Sequence, residues 1–173
     1  AGSYVEYTSG WAKATNRVYR LSAATGTTVT LEGLDTTSTA NFPAGAGIGS
    51  IRACTTFVPV LQILDLSTDG GEAQTSTFKY LENQTETEFI TGISASAYTF
   101  NIGDDISLAG YVALKAASDS AVQTAFRMTL PSGGIIVSAV KPFVNQNPKT
   151  DQDQLITVSA RLSIQNGVQR YIS

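Results

Sequence analysis

Apolar and polar side chains alternate without a fault through Ile156-Thr157-Val158-Ser159-Ala160-Arg161-Leu162-Ser163-Ile164, the spacing of a strand with one buried face. Phe126, Met128 and Leu130 alternate with Arg127 and Thr129, and Tyr98, Phe100 and Ile102 with Thr99 and Asn101. Val29 and Leu31 repeat the pattern between the turn-prone Ala24-Thr25-Gly26 and Gly33. Branched and aromatic side chains suit a pleated surface. Gly134 to Val144 reads as a further strand, joined to its predecessor by the hairpin turn Pro131-Ser132-Gly133-Gly134. Pro142 places the end of that strand at a sheet edge, because proline has no N–H to give a central ladder. Ser50 to Leu66 reads as a strand pair or one bent strand, interrupted at Pro59.

One stretch keeps a helical period. After Asp104-Asp105, which suit a helix N-terminus, Leu108, Tyr111, Val112 and Lys115 recur at three- and four-residue spacing among Ala109, Ala113, Ala116 and Ala117. The expected helix spans about residues 106–117. Gly110 costs it about 1 kcal/mol relative to Ala. Two segments fit neither period. Thr36 to Ser50 is a Gly-, Ser- and Thr-rich loop, and Ser67 to Glu88 is a long hairpin reaching out of the domain. The fold class expected is mainly β: a β-sandwich or open barrel with one short flanking helix and long protruding loops.

Composition narrows the function. The 173 residues are 42% hydrophobic and 14% charged, enough for one domain with a real core. Eleven basic and 14 acidic residues leave a net charge of -3, against a strongly cationic nucleic-acid binder. Histidine is absent, which removes the commonest general base and the commonest metal ligand. No apolar run approaches the roughly 18 residues of a membrane span, so membrane insertion is not expected. The opening Ala1-Gly2-Ser3-Tyr4 shows no secretion signal and no initiator Met, so the chain is expected to start downstream of the true N-terminus.

Isolated chemical motifs carry little. Gly45-Ala46-Gly47-Ile48-Gly49 lacks the following helix and Lys of a phosphate loop. The carboxylate pairs Asp104/Asp105, Asp151/Asp153 and Glu86/Glu88 lack a calcium-loop pattern. Lone Cys54 sits in apolar sequence, as a buried free thiol does, with no His to activate it. A Ser–Lys mechanism would have only five lysines to draw on. No cofactor or metal is expected. Asn83-Gln84-Thr85 is a glycosylation sequon of little weight without a signal peptide.

Charge placement says more. Asp65, Asp69, Glu72, Glu82, Glu86 and Glu88 face only Lys79 in their stretch, five net negative charges. Lys13, Arg17 and Arg20 face only Glu6. Opposite patches on one chain suit a head-to-tail stack of identical copies.

The order of segments resembles the major tail tube proteins of long-tailed bacteriophages. The resemblance runs from about Thr27 to Gly167. It rests on the acidic hairpin from Leu64-Asp65-Leu66-Ser67-Thr68-Asp69-Gly70-Gly71-Glu72 to Glu88-Phe89-Ile90-Thr91-Gly92, the Asp104-Asp105 helix, Phe126-Arg127-Met128-Thr129-Leu130-Pro131-Ser132-Gly133, and the strand from Leu155 to Gly167. It implies a non-enzymatic β-sandwich subunit, with residues 27–173 as one domain and 1–26 as an N-terminal arm or extra strand. It further implies sheets paired edge to edge into hexameric rings, and rings stacked into a hollow tube that passes double-stranded DNA without binding it specifically. Tape measure, tail terminator and distal tail proteins are the implied partners, and the implied place is the virion tail, assembled in the host cytoplasm.

In such a tube Asp69, Glu72, Lys79, Glu82, Glu86 and Glu88 are expected in the main inter-ring loop. Asn145, Lys149, Asp151 and Asp153 form a second contact loop, and Trp11, Lys13, Arg17 and Arg20 an N-terminal arm. An acidic lining that repels phosphates would fit a conduit. The competing reading is a β-sandwich binding module for carbohydrate or a receptor on a phage fibre, with exposed aromatics (Tyr4, Tyr7, Trp11, Tyr19) over a groove.

Overall fold

Two long antiparallel strands, β10 (Gly134–Lys149) and β11 (Thr157–Ile172), form the spine of the protein in a computed structural model that describes residues 2–82, 84–150 and 155–172. The turn ahead of β10 is closed by Leu130 and Gly134, as the Pro-Ser-Gly-Gly signal requires. Around the spine stand β5 (Ile63–Asp69), β8 (Ala97–Gly103) and β9 (Thr124–Thr129), giving a five-stranded antiparallel sheet in the order β5-β8-β11-β10-β9. A second sheet takes the order β3-β2-β1-β4 from β1 (Tyr4–Ser9), β2 (Arg17–Ala24), β3 (Val29–Leu31) and β4 (Gly49–Cys54). The hairpin β6 (Ala73–Phe78) and β7 (Thr87–Ile93) pairs only with itself. Residues 4–24 are thus mostly strands of the second sheet.

A bulge between Ser138 and Val140 divides the spine. Below it, Val137 and Ala139 pack against Tyr4, Val18 and Tyr171, the inter-sheet core of the sandwich. Above it, alternation puts Val140 and Val144 on the opposite face, with Phe100, Ala160 and Leu162, under the helix α1 (Ala109–Ser120). β9 pairs with β10 only as far as Val140, so Pro142 lies where the strand has one neighbour, as its missing N–H demands.

α1 begins about three residues later than the periodicity suggests, and Asp104-Asp105 do not cap it. Leu108 is the N-cap residue and makes no side-chain cap bond. The Asp105 carboxylate instead accepts from Ser107 N–H (3.0 Å) and Oγ (2.6 Å), closing a turn one step ahead of the helix. These bonds hold the Asp105 carboxyl below its usual range. Gly110 has a packing reason: a Cβ there would meet the backbone of Pro59 and come within 2.8 Å of Val60 Cα. The glycine lets the connection from β4 to β5 cross the helix.

Polar anchors tie the second sheet to the first. Glu6 is buried, yet its carboxylate takes hydrogen bonds from Arg52 and Gln123, and Arg52 also donates to the Gln123 carbonyl (2.6 Å). A buried acid survives only when so paired. Arg127 lies over the Phe57 ring (4.8 Å), holding the segment that leaves β4. Arg20 makes a two-pronged pair with Glu32 (2.6 Å each) and donates to the Ile172 carbonyl (2.9 Å). Cys54 is half-buried, and burial pushes its thiol up, away from reactivity.

Leu162, 2% exposed between β11 and α1, should cost about 2–5 kcal/mol on truncation to Ala; a fall in the urea midpoint at unchanged slope reads it. The Arg20 guanidinium holds the Glu32 carboxyl below its usual range. Its contribution is therefore complete above an ordinary Glu value, near pH 4.3, and lost as pH falls through the lowered folded value. Glu32→Gln should remove that contribution at neutral pH and flatten this part of the acid limb in pH-dependent melting.

Candidate functional site

The run Leu61-Gln62-Ile63-Leu64-Asp65-Leu66 carries apolar residues with little alternation, a pattern proper to a strand covered on both faces. In the isolated chain it is an uncovered edge. Among the described residues β5 has β8 on one side and no strand on the other, and all seven of its residues are exposed, Ile63, Leu64 and Leu66 to between 46% and 58%. Its polar groups are tied inward. The Asp65 carboxylate accepts from the Asn101 backbone (2.9 Å) and side-chain amide (3.0 Å), and Ser67 Oγ donates to the Thr99 carbonyl (3.3 Å). The edge therefore presents apolar flanks and an open backbone, the configuration that recruits another strand.

Beyond β5 the chain turns at Gly70 and Gly71, both at positive φ (72° and 81°). Gly70 also admits no Cβ, because one would collide with the Ala95 carbonyl. The base of the hairpin is fixed by Ser94 N–H to the Glu72 carbonyl (2.9 Å) and Glu72 N–H to Ser94 Oγ (3.0 Å). In β6–β7, Ser76 faces Phe89 and Phe78 faces Thr87, which puts Phe78 and Phe89 on one face with rings 5.8 Å apart; Tyr80 packs on Phe78 at 5.2 Å. Ile90 lies on the other face, opposite Thr75. Phe78, Tyr80, Leu81, Phe89, Ile90 and Ile93 are all exposed. A two-stranded ribbon apolar on both faces is marginal in water by itself.

The expected contact residues distribute unevenly. Glu72 stands at the base of this hairpin, Lys79, Glu82 and Glu86 in the exposed connection at its end, and Glu88 on β7 opposite Thr77. Asp69 does not join them: it ends β5, and its carboxylate accepts from Arg161 (3.1 Å) and Thr99 Oγ1 (3.3 Å). Asn145 and Lys149 lie on β10, in register with Ser159 and Thr157, whereas Asp151 and Asp153 fall outside the described residues.

The basic N-terminal group is mostly engaged within the subunit. Arg20 is held by Glu32, Arg17 begins β2 with its Nε buried, and Lys13 alone of the three is exposed. Trp11 is a clasp: its Nε1 donates to the Pro43 carbonyl (2.9 Å) and its ring meets Phe42 edge-on at 5.4 Å, pinning the Gly-rich loop. That loop leads into β4, so Gly45 to Gly49 opens a strand where a phosphate loop needs a helix. The aromatic groove of the binding-module reading does not form, because Tyr4 and Tyr19 are buried, at 7% and 0% exposure. Glu6, the buried acid, and the β5 edge escape sequence reasoning; for the edge, the signal available was the apolar-rich run Leu61 to Leu66.

Among the described residues, no three His, Cys, Asp or Glu side chains come together to hold a metal. A shallow hollow lies beside α1, between Asp104, Ile106, Val112, Lys115 and Gln146, and Lys115 there is paired with Asp119 at 2.6 Å. The chemistry that stands out is non-covalent: an open strand edge and an apolar ribbon.

No curated protein matches the chain. A family model described as "Phage tail tube protein, TTP" matches residues 9–173, which takes in β2 and part of β1 as well as the segments that carried the resemblance. With nearly its whole length spanned, the chain belongs to the phage tail tube protein family, and is a structural component of the virion tail and not an enzyme.

Proposed function

We propose that copies of this chain close into hexameric rings by extending the five-stranded sheet from one subunit to the next, and that the rings stack into a hollow tube through which double-stranded DNA leaves the virion. The observation that carries the reading is β5, a strand exposed along its whole length with its backbone unpaired on one side. Its counterpart is the opposite margin of the sheet, made by β9 and by β10 beyond Val140. A closed ring leaves no edge unpaired, which turns an aggregation hazard into a defined assembly. A permanent contact of this kind buries about 2,000 Å² or more, and Ile63, Leu64 and Leu66 supply apolar surface for it.

The β6–β7 hairpin, with Glu72, Lys79, Glu82, Glu86 and Glu88, is the inter-ring contact. Residues 145–153 add a second, and Lys13 is the exposed base on the N-terminal side. Subunits of this kind assemble in the host cytoplasm, around a tape measure protein and between tail terminator and distal tail proteins.

Two variants separate the lateral and axial contacts. Replacing residues 73–92 by a short Gly-Ser linker, which the closeness of Glu72 and Ser94 permits, should leave folded protein that forms single rings but no tubes in negative stain. Ile63→Lys with Leu66→Lys should leave a folded monomer that forms no rings at all. Tubes of ordinary length from either variant contradict the corresponding contact.

A further inference from the structure

Register gives the β5–β8 pair a direction: Ile63 faces Ile102 at one end and Asp69 faces Ala97 at the other. The β6–β7 hairpin leaves from the Asp69 end, through Gly70 and Gly71. The hollow beside α1 belongs to the opposite end, where Asp104 and Ile106 follow the last residue of β8 and Gly103 N–H reaches the Gln62 carbonyl (3.2 Å). At about 3.3 Å per residue, the length of β5 sets the two features about 20 Å apart, and β6 carries the hairpin's tip about 20 Å from its base. No hairpin residue lines the hollow, so the two do not meet within one chain.

Each surface is unfinished in the single chain. At the tip, Tyr80 packs edge-on against Phe78, and Leu81 beside it is fully exposed. At the hollow, α1 turns Tyr111 and Leu114 to the core but leaves Val112 exposed near Lys115, and Ile106 ahead of the helix is exposed too. Exposed apolar side chains grouped in this way mark a contact surface. The hollow is shallow and measures about 400 Å³, space for a few side chains and not for a strand or a helix. The charges match as well. Lys79 precedes Tyr80-Leu81 and Glu82 follows them, while Asp104 and Lys115 flank Ile106 and Val112. Lys115 already pairs with Asp119, but an exposed pair four residues apart on a helix is held weakly, so Lys115 can also donate to a carboxylate of another copy.

We infer, resting on the tube reading above, that Tyr80 and Leu81 of one copy seat in the hollow beside α1 of a copy in the next ring, with Ile106 and Val112 as its apolar rim. In a ring closed edge to edge the strands cross from one rim to the other, tilted by about 35–45° from the axis. The hairpin therefore projects from one rim and the hollow opens near the other. A knob at one rim with its seat at the other is a heterologous contact, which repeats without closing and so builds a stack. The same polarity makes the two ends of the tube unlike: one offers tips and the other empty seats.

The test starts from tubes of the parent protein seen in negative stain; their absence would strike the tube reading, and the seat with it. In a Cys54→Ser background, Leu81→Cys combined with Val112→Cys should be joined by a short bismaleimide into a ladder of linked chains on a denaturing gel when assembled, and not when dispersed. Neither cysteine alone should give the ladder. Tubes of the double variant that yield no ladder overturn the seat. Dimers from Leu81→Cys alone overturn it too, because tips would then meet tips.

Val112→Asp supplies an independent reading. The position is exposed, so the variant should melt as the parent does and still form rings, while a charge placed in the contact cuts the share of subunits in tubes about tenfold or more. Val112→Thr, close in shape and uncharged, should stack as the parent does. Parent-like tubes from Val112→Asp contradict the inference, and so does a loss of rings, which would put α1 in the lateral contact.

Discussion

A strand at the margin of a sheet carries a row of backbone donors and acceptors that its neighbour cannot reach, and water or another strand must satisfy them. β5 is such a strand, and its side chains make matters more pointed. Ile63, Leu64 and Leu66 give it apolar surface on both sides of an open backbone. Proteins that live as monomers blunt such an edge with charge, proline or a covering loop. Here the acids nearby are drawn away from it: Asp65 is absorbed by Asn101 and Asp69 by Arg161. What remains is apolar surface beside an open backbone, the edge on which the proposed ring contact rests.

The division of labour follows the bulge in the spine. Below it, the two sheets bury Val18, Val137 and Ala139 completely, the closely packed part of the subunit. Above it, α1 covers one face only and the strand margins are free. The β6–β7 ribbon is a third region, attached through a tightly fixed base and apolar on both faces. The closely packed core thus lies in the sandwich, and the open strand margins and the ribbon lie where the single chain buries least.

Much of the architecture was legible in the sequence because it obeys a local rule. The alternation of Ile156 to Ile164 and of Tyr98 to Ile102, the hairpin before Gly134 and the edge proline Pro142 each reflect a period or a missing donor. The helix was legible but displaced, since Asp105 spends its carboxylate on Ser107 and the first helical residue is Ala109. The roles of Trp11 and Arg20 were not legible. Their partners, Pro43 and Glu32, lie 32 and 12 residues away and depend on the folded course of the chain. Asp69 was grouped with the hairpin acids for the same reason: Arg161, 92 residues distant, reaches it only once β8 and β11 have paired. The β5 run was readable as an apolar-rich strand, but such a run does not say whether its cover comes from the same chain or from the next.

Backbone amide exchange along β5, compared between dispersed subunits and assembled tubes, probes the edge itself. Strand addition predicts that amides of Ile63 to Asp69 directed away from β8 exchange quickly in the free subunit and become strongly protected in the tube, while β8 and β11 are protected in both. Tubes in which those β5 amides exchange as fast as in the free subunit would mean that the rings are held together by something other than a continuous sheet.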